Sequence, residues 1–257
     1  MKKTLITLLA VFAFLSVGYT YAEEIQSGKD NKKAGWYFVR GKDHQPSGAQ
    51  TEIDISKYNA CYLGDTSQKF IYLTFDNGYE NGNTPKILDV LKEKNVPAAF
   101  FLTKPYIVEN PEIVKRMADE GHLPCNHSIS HKSFPTLSDE QIASEINGLA
   151  QIYNEQTGKE MPKFFRPPMG EYSERVLDLT NQLGYKTVFW SFAYQDWLVD
   201  NQPPASEALT RFTAGLHNGE IALLHAVSSA NTESLASMID AAREQGYEFR
   251  SLYDLPD

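Results

Sequence analysis

Short apolar segments alternate with helical patterns from residue 70 onward, and this alternation constrains the fold more than any other feature. Seven segments rich in β-branched and aromatic residues predict strands: FIYLTF, AAFFLT, HLPCN, KFF, KTVFWSF, EIALLH and YEFRSL. Helical patterns lie between them at about 84–95, 111–120, 138–157, 173–183, 204–217 and 231–245. Seven strands alternating with six helices predict an α/β protein whose helices cover a parallel sheet. The alternation does not distinguish a closed barrel from an open sheet.

The start of the chain has the pattern of an export signal. Lys2 and Lys3 precede an apolar stretch that ends in small residues, so residues 1–22 are predicted to be a signal peptide cleaved after position 22. The alternative is an uncleaved membrane anchor. Either way the body of the chain is exported. Residues 23–61 are polar with weak periodicity and are predicted to form an N-terminal extension, followed by one domain at 62–257.

The net charge of the chain limits the classes of partner that it can bind. The 257 residues carry a formal net charge of −9, and loss of residues 1–22, which contain two lysines and no acid, makes it −11. Nucleic acid phosphates need a basic surface, so we expect no nucleic acid partner, and a neutral or cationic substrate fits better.

Export permits a disulfide between Cys61 and Cys125, but two separate buried thiols fit the sequence equally well.

Chemically reactive side chains follow the predicted strands at the points where those strands end. These residues are Asp76, Asn77, His127, His131, Arg166, Asp196 and His225. Ligand sites of α/β proteins lie at the carboxyl ends of parallel strands, so we expect these side chains to meet at one edge of the sheet. The sequence therefore predicts an active site there.

A pair of histidines suggests a metal site. His127 and His131 are four residues apart, so a helical turn or a tight loop would direct both imidazoles to one point, which suits a zinc-type ion. The alternative is one solvent-facing histidine and one that caps a helix. Asp76 could bind the metal or act as general base toward a water whose pKa the metal lowers to about 7. It could also do no more than cap the following turn.

The remaining polar residues suggest a general acid and two charged residues that control protonation at the site. Opposite a metal site, His225 is a candidate general acid for a leaving amine, with Asp196 holding it protonated. The alternative is a buried core histidine. Arg166 could keep Asp76 ionised, or it could form a purely structural ion pair.

Three residues are candidate substrate contacts. Trp197 and Leu223 could form a small apolar pocket for a methyl group, although core residues would look the same in the sequence. Pro168 lies in the segment RPPMG, where two prolines stiffen the backbone beside the site.

Five motifs, in family order, resemble those of the polysaccharide deacetylases, the NodB-homology carbohydrate esterases. TFDNG resembles TFDDG, HSISH resembles H-[ST]-x-x-H, RPPMG resembles R-x-P-x-G, AYQDW resembles D-x-x-D-W, and LLH resembles L-x-H. The match spans about residues 70–252. The resemblance implies a distorted (β/α) barrel with about seven parallel strands. It also implies a base, two metal ligands, an acid and two tuning residues: Asp76, His127 with His131, His225, and Arg166 with Asp196.

Two positions depart from the family pattern. Asn77 replaces the acid that normally completes the metal triad, and Ala193 replaces the first acid of the fourth motif. An amide oxygen can still coordinate a divalent ion, but with one negative charge fewer we expect weaker binding. Asp76 is then the acid retained for chemistry.

Longer segments point to a subfamily. YLTFDNGYENG, RPPMGEYSE and IALLHAVSSAN resemble the delta-lactam-biosynthetic de-N-acetylases of spore-forming bacteria. This resemblance implies hydrolysis of a carbon–nitrogen bond other than a peptide bond. The reaction would remove the N-acetyl group from N-acetylmuramic acid in peptidoglycan strands that lack peptide stems, and the freed amine would close to the muramic δ-lactam of spore cortex. The place of action would be the cell wall or the space between the membranes of a forming spore.

Two rival functions stay open at this point. The first is deacetylation of N-acetylglucosamine in peptidoglycan or chitin-like chains. The second is a glycan-binding domain without catalysis, which Asn77 would mark as poor in metal. Zinc is the expected ion, with cobalt, manganese or magnesium as alternatives, and a monomer is the default oligomeric state.

Overall fold

The computed structural model of the chain describes residues 25–256. The predicted signal peptide, residues 1–22, lies outside this range, so its cleavage or retention stays a prediction. No helix within residues 25–256 is long and apolar enough to cross a bilayer. The predicted boundary after residue 61 also stays a prediction.

The strands form one large parallel sheet and two small antiparallel pairs. In chain order they are β1 Ala34–Gly35, β2 Phe38–Val39, β3 Gly48–Ala49, β4 Ala60–Cys61, β5 Phe70–Asn77, β6 Ala98–Leu102, β7 Leu123–Asn126, β8 Phe164–Phe165, β9 Glu171–Tyr172, β10 Lys186–Val188, β11 Glu220–His225 and β12 Glu248–Phe249. The large sheet has the order β11–β5–β6–β7–β8–β10–β4, and β12 pairs with the first residues of β5. The sheet curls into a distorted barrel, so the predicted fold class is confirmed. All seven predicted strands are present; the five strands that were not predicted, β1 to β4 and β9, have two residues each.

Helices cover the outer face of the sheet. They are α1 Thr84–Lys94, α2 Lys104–Glu109, α3 Pro111–Asp119, α4 Asp139–Thr157, α5 Glu174–Gln182, α6 Ala205–Gly215 and α7 Ser229–Glu244. Six of them match the predicted segments, and only α2, a short helix that directly follows β6, was missed. Local signals fix the ends of α4: Ser138 and Gln141 form a capping box, and Gly158 ends the helix in the left-handed conformation.

The alternation of side chains along β5 places the candidate base. Every second residue packs under the helices: Ile71, Leu73 and Phe75. Tyr72 belongs instead to a second cluster on the opposite face, inside the barrel. Because successive side chains of a strand point to opposite faces, Thr74 and Asp76 continue the inner row. Asp76 is therefore the last inward residue of β5, and its register partner on β11 is His225.

The two cysteines lie on different strands of the large sheet. Cys61 ends β4 and Cys125 lies in β7, with β8 and β10 between those strands. Both are free thiols. Burial raises the pKa of Cys61 to about 11, so this thiol is protonated at neutral pH. The alternative of two separate thiols is the one that the structure adopts.

Part of the N-terminal extension packs tightly against the barrel. The Trp36 ring stacks on Phe189 with centroids 4.4 Å apart, and its Nε1 donates to the Trp190 carbonyl at 2.9 Å. The Trp36 backbone N–H donates to the carbonyl of Gly170 at 2.8 Å. Gly170 has a φ of +65°, and a Cβ there would lie 2.8 Å from the Trp190 ring, so this position requires glycine. The extension thus supports the RPPMG loop beside the predicted site.

We expect Trp36→Ala to lower the free energy of unfolding by about 3–5 kcal/mol, because it removes a buried aromatic ring and leaves a cavity. Tyr37→Ala is the matched control: Tyr37 is 67% exposed whereas Trp36 is 4% exposed. The control should change stability by less than about 0.5 kcal/mol. Urea denaturation followed by circular dichroism measures both. Equal effects would show that the extension is not part of the cooperative unit.

Candidate active site

A buried ion pair lies at the centre of the site. Arg166, at the end of β8, is fully buried, and its Nη1 donates to Asp76 Oδ1 at 2.7 Å. Its Nη2 donates to Thr74 Oγ1 at 2.9 Å. Its guanidinium also lies over the Phe101 ring, 4.1 Å from the centroid. Burial alone would raise the pKa of Asp76, but Arg166 and the nearby His127 hold it below its usual value. Asp76 is therefore ionised and oriented.

The two predicted metal-binding histidines lie together in a tight loop, not on a helical turn. Their ring centroids are 4.9 Å apart. His131 has a φ of +52°, and its backbone N–H donates to Ser128 Oγ at 3.0 Å, which fixes the loop. His127 Nδ1 donates to the Arg166 carbonyl at 2.8 Å, so Nε2 carries the lone pair. Burial lowers the pKa of His127 to about 4, which keeps the ring neutral, as a metal ligand must be.

Asn77 has an unpaired atom that fits a ligand role. The residue is fully buried at the end of β5, and its Oδ1 has no hydrogen-bond partner. A buried acceptor without a partner costs free energy unless something else binds it. Its chain neighbours Asp76 and Gly78 both line the cavity that contains His127 and His131. Two imidazoles and one amide oxygen are a donor set that suits a divalent ion such as zinc.

No group of three or more His, Cys, Asp or Glu that could hold a metal ion occurs within residues 25–256. The candidate set is not such a group, because its third donor is the amide oxygen of Asn77. Asp76 lies next to the set, with Oδ2 3.6 Å from His127 Nε2.

A second carboxylate pairs with the candidate acid. Asp196 Oδ1 accepts from His225 Nδ1 at 2.7 Å, and its Oδ2 accepts from the backbone N–H of His225 at 2.8 Å and from Asn231 Nδ2 at 2.6 Å. Burial alone would lower the pKa of His225, but the hydrogen bond and charge of Asp196 raise it above its usual value. His225 therefore favours the protonated form, with Nε2 as the nitrogen that is free to act.

A cavity of about 570 Å³ joins these groups. Its lining includes six of the candidate site residues, Asp76, His127, His131, His225, Trp197 and Leu223, together with Gly78, Tyr79, Met169, Gly170, Trp190 and Val227. Pro168 is buried and does not line the cavity; the turn that it begins exposes Met169 instead. Met169 has a φ of +60°, which turns its side chain outward, and no sequence pattern indicates such a conformation. Sequence reasoning also missed Tyr79, although it directly follows the first strand end.

Ala193, the second departure from the family pattern, does not line this cavity. Its backbone carbonyl accepts a hydrogen bond from Arg40 Nη2 at 2.8 Å. The Arg40 guanidinium also lies 5.1 Å from the centroid of the Phe192 ring. A cation of the extension therefore reaches the segment where the family pattern has an acid.

An ionised carboxylate, a neutral histidine pair and a protonated histidine around one cavity, at the carboxyl ends of parallel strands, define a barrel hydrolase that activates water. The family model described as polysaccharide deacetylase matches residues 63–188. Together with the relatives below, this match shows that the chain belongs to the polysaccharide deacetylase family. Deacetylases of this family are generally metal-dependent.

The relatives cover most of the chain. The chain is 42% identical to peptidoglycan-N-acetylmuramic acid deacetylase PdaA of Bacillus subtilis, over 98% of this chain and 95% of that protein. A solved structure of Bacillus subtilis PdaA, described as a family 4 carbohydrate esterase, matches with a TM-score of 0.85 and 44% identity, covering 88% of this chain and 97% of that chain. A peptidoglycan-N-acetylglucosamine deacetylase of Bacillus cereus is 32% identical over 74% of this chain and 76% of that protein.

Arg166→Met should destabilise the protein by about 3–5 kcal/mol at pH 7, because it leaves the buried charge of Asp76 without a partner. Arg211→Met is the control, since Arg211 pairs with Glu207 on the exposed surface of α6. The control should cost less than about 1 kcal/mol. Chemical denaturation measures both variants. A loss for Arg166→Met no larger than that of the control would contradict a buried, ionised Asp76.

Proposed function

We propose that this chain is a peptidoglycan N-acetylmuramic acid de-N-acetylase, which hydrolyses the acetamide on glycan strands lacking peptide stems and releases acetate. One observation carries the proposal: Asp76 and His225 are register partners on neighbouring parallel strands, and both line the same cavity. The similarity to PdaA of Bacillus subtilis supports the muramic sugar. We further propose that the freed amine then condenses with the lactyl carboxyl, with loss of water, to give the muramic δ-lactam of spore cortex.

The proposed metal ligands are His127 Nε2, His131 and Asn77 Oδ1. Zinc is the proposed ion, ahead of cobalt, manganese and magnesium, because imidazole donors suit it better than they suit magnesium. When bound, such an ion polarises the acetamide oxygen and lowers the pKa of water at the site.

The Asp76–Arg166 pair and the Asp196–His225 pair would each support one of the two proton transfers. Asp76, kept ionised by Arg166, accepts a proton from the attacking water. His225, kept protonated by Asp196, donates a proton from Nε2 to the sugar nitrogen as the carbon–nitrogen bond breaks. Trp197 and Leu223, on the wall of the cavity next to His225, are proposed to receive the acetyl methyl group.

The proposed substrate lies outside the cell membrane, so the proposal includes export. Residues 1–22 would direct the chain to the cell wall or to the space between the membranes of a forming spore. There it would act as a monomer, with residues 23–61 as an extension that supports a catalytic domain at 62–257. The packing of Trp36 against the barrel supports this role of the extension.

Acetate release should be metal-dependent and specific for stem-free glycan. We expect the chain, freed of residues 1–22, to release acetate from peptidoglycan pretreated with an amidase, and to lose this activity with a chelator and on untreated peptidoglycan. Mass spectrometry of the glycan fragments should find the free amine on the muramic residue. A free amine on glucosamine would favour the rival sugar, and no release with any of the four metals would favour a domain that only binds glycan.

Asp76→Asn should lower kcat by about 10²–10⁴-fold, because the general base is lost while the shape of the side chain is kept. Asp65→Asn is the control: its side chain is exposed and bonds only to nearby Ser67. The control should leave kcat unchanged. Near-normal turnover by Asp76→Asn would contradict its role as the base.

The alkaline limb of the pH–rate profile should depend on Asp196. A general acid works while protonated, so the rate falls as pH rises through the pKa of His225, which Asp196 raises. Asp196→Asn removes that charge, lowers the pKa of His225, and should move the limb to lower pH by about 1 unit or more. Asp200→Asn, the same substitution at an exposed residue of the same loop, should leave the limb in place. An unmoved limb in Asp196→Asn would exclude His225 as the acid.

A further inference from the structure

An amide can replace a carboxylate as a metal ligand only if its oxygen faces the metal. A carboxylate has two acceptor oxygens, whereas an amide has one acceptor and one donor end, and a flip exchanges them. Asn77 lies where the family has an acid, so the protein needs a device that selects one of the two orientations. The hydrogen bonds around Asn77 provide a candidate.

We propose that Thr84, Tyr106 and Glu80 form a hydrogen-bond relay that fixes the Asn77 amide with Oδ1 free to bind the metal. These three are positioning residues, and we call them together with Asn77 the Asn77 relay. The inference rests on the proposed metal site.

The contacts of the relay form a continuous chain. Asn77 Nδ2 donates to Thr84 Oγ1 at 3.3 Å. The hydroxyls of Thr84 and Tyr106 lie 3.0 Å apart. The Tyr106 hydroxyl donates to Glu80 Oε2 at 2.8 Å. Asn77, Thr84 and Tyr106 are all buried, so water does not compete for these bonds.

The carboxylate at one end sets the direction of every bond. An ionised carboxylate can only accept, and Glu80 Oε1 already accepts from the backbone N–H groups of Gly82 at 2.6 Å and Thr84 at 3.2 Å. The single hydrogen of the Tyr106 hydroxyl is thus used on Glu80. The hydrogen between the two hydroxyls then comes from Thr84, whose free lone pair must accept from Asn77. Only the Nδ2 end of the amide can supply that hydrogen.

A flipped amide would break this order. In the flipped state Oδ1 would face Thr84, so the Thr84 hydroxyl would have to donate to Oδ1 and its bond to Tyr106 would be lost. The Nδ2 donor would then occupy the buried position where Oδ1 now has no partner. The relay therefore disfavours the flipped state and leaves Oδ1 as the end of the amide without a hydrogen-bond partner. An aspartate at position 77 would have no need of this sorting, because both of its oxygens can coordinate.

A double-mutant cycle on zinc affinity tests the relay. The full chain is compared with Thr84→Val, Asn77→Asp and the double variant, using competition with a chromophoric chelator to measure the zinc dissociation constant. Thr84→Val should raise this constant about tenfold or more when residue 77 is asparagine, as loss of a ligand-orienting partner typically does. In the Asn77→Asp background the same substitution should raise it less than about threefold, so the aspartate rescues the defect.

Two further variants provide a substitute for Thr84→Val and a matched control. Tyr106→Phe removes the acceptor of the Thr84 hydrogen, so the amide is no longer held in one orientation and zinc binding should weaken, as in Thr84→Val. This variant replaces Thr84→Val in the test if Thr84→Val does not fold. Thr180→Val is the matched control, since Thr180 is a buried threonine of α5 that bonds only to the carbonyl of Val176, and it should leave zinc affinity unchanged. The absorption spectrum of the cobalt-substituted protein should change with Thr84→Val and not with Thr180→Val.

The outcomes separate the relay from the function on which it rests. Equal weakening by Thr84→Val in both backgrounds, or no weakening in either, overturns the relay while the metal site stands. Zinc binding that is absent from the unmodified chain, or insensitive to His127→Ala, overturns the metal site and the relay together.

Discussion

The site depends on one buried cation, the guanidinium of Arg166. Its three nitrogens contact Asp76, Thr74 and the carbonyls of Val188 and Phe189, and so join strands β5, β8 and β10 at the top of the barrel. Its own backbone carbonyl accepts from His127 and selects the tautomer that leaves Nε2 free. A buried charge is tolerated only when paired and fully hydrogen-bonded, so these contacts require one another. A change at Arg166 would therefore affect the candidate base, the candidate ligand and the sheet at once.

Two carboxylates in this site have opposite consequences because their partners differ. Asp76 faces an arginine, which is always charged, so the pair keeps the carboxylate ionised and available as a base. Asp196 faces a histidine, which titrates near neutral pH, so the pair raises the pKa of that partner and gives an acid. Register then brings the two together, since Asp76 and His225 are direct partners on β5 and β11. The proposed base and the proposed acid therefore depend on the same kind of ion pair, with arginine as the cation in one and histidine in the other.

The sequence predicted the features that depend on local patterns. Apolar periodicity located seven strands and six helices. Polar residues at strand ends led to the expectation that Asp76, His127 and His225 would meet, and these three side chains line one cavity. Sequence reasoning missed five strands of two residues each, β1 to β4 and β9, which are too short to show a pattern and are defined by their pairing with distant segments, as β4 is by β10. It also missed the left-handed conformations of His131 and Met169, since tertiary contacts impose them on residues that do not favour them. The partners of Asn77 lie on α1, on α2 and in the loop after β5, and spacing alone does not bring these three together.

An amide at position 77 changes the electrostatics of the site as well as its ligands. With aspartate there, two adjacent carboxylates would follow each other at the end of β5, and the proposed metal would compete with the proton for both. With asparagine, Asp76 is the single anion beside His127, so the full effect of Arg166 acts on the residue that must accept a proton. In the proposed metal site the cost is a weaker third ligand, and an unfixed amide would weaken it further by presenting its NH₂ end to the ion. In this proposal, retaining a lone base and fixing the neighbouring amide are two parts of one solution, in which buried hydrogen bonds replace the charge that this chain lacks at position 77.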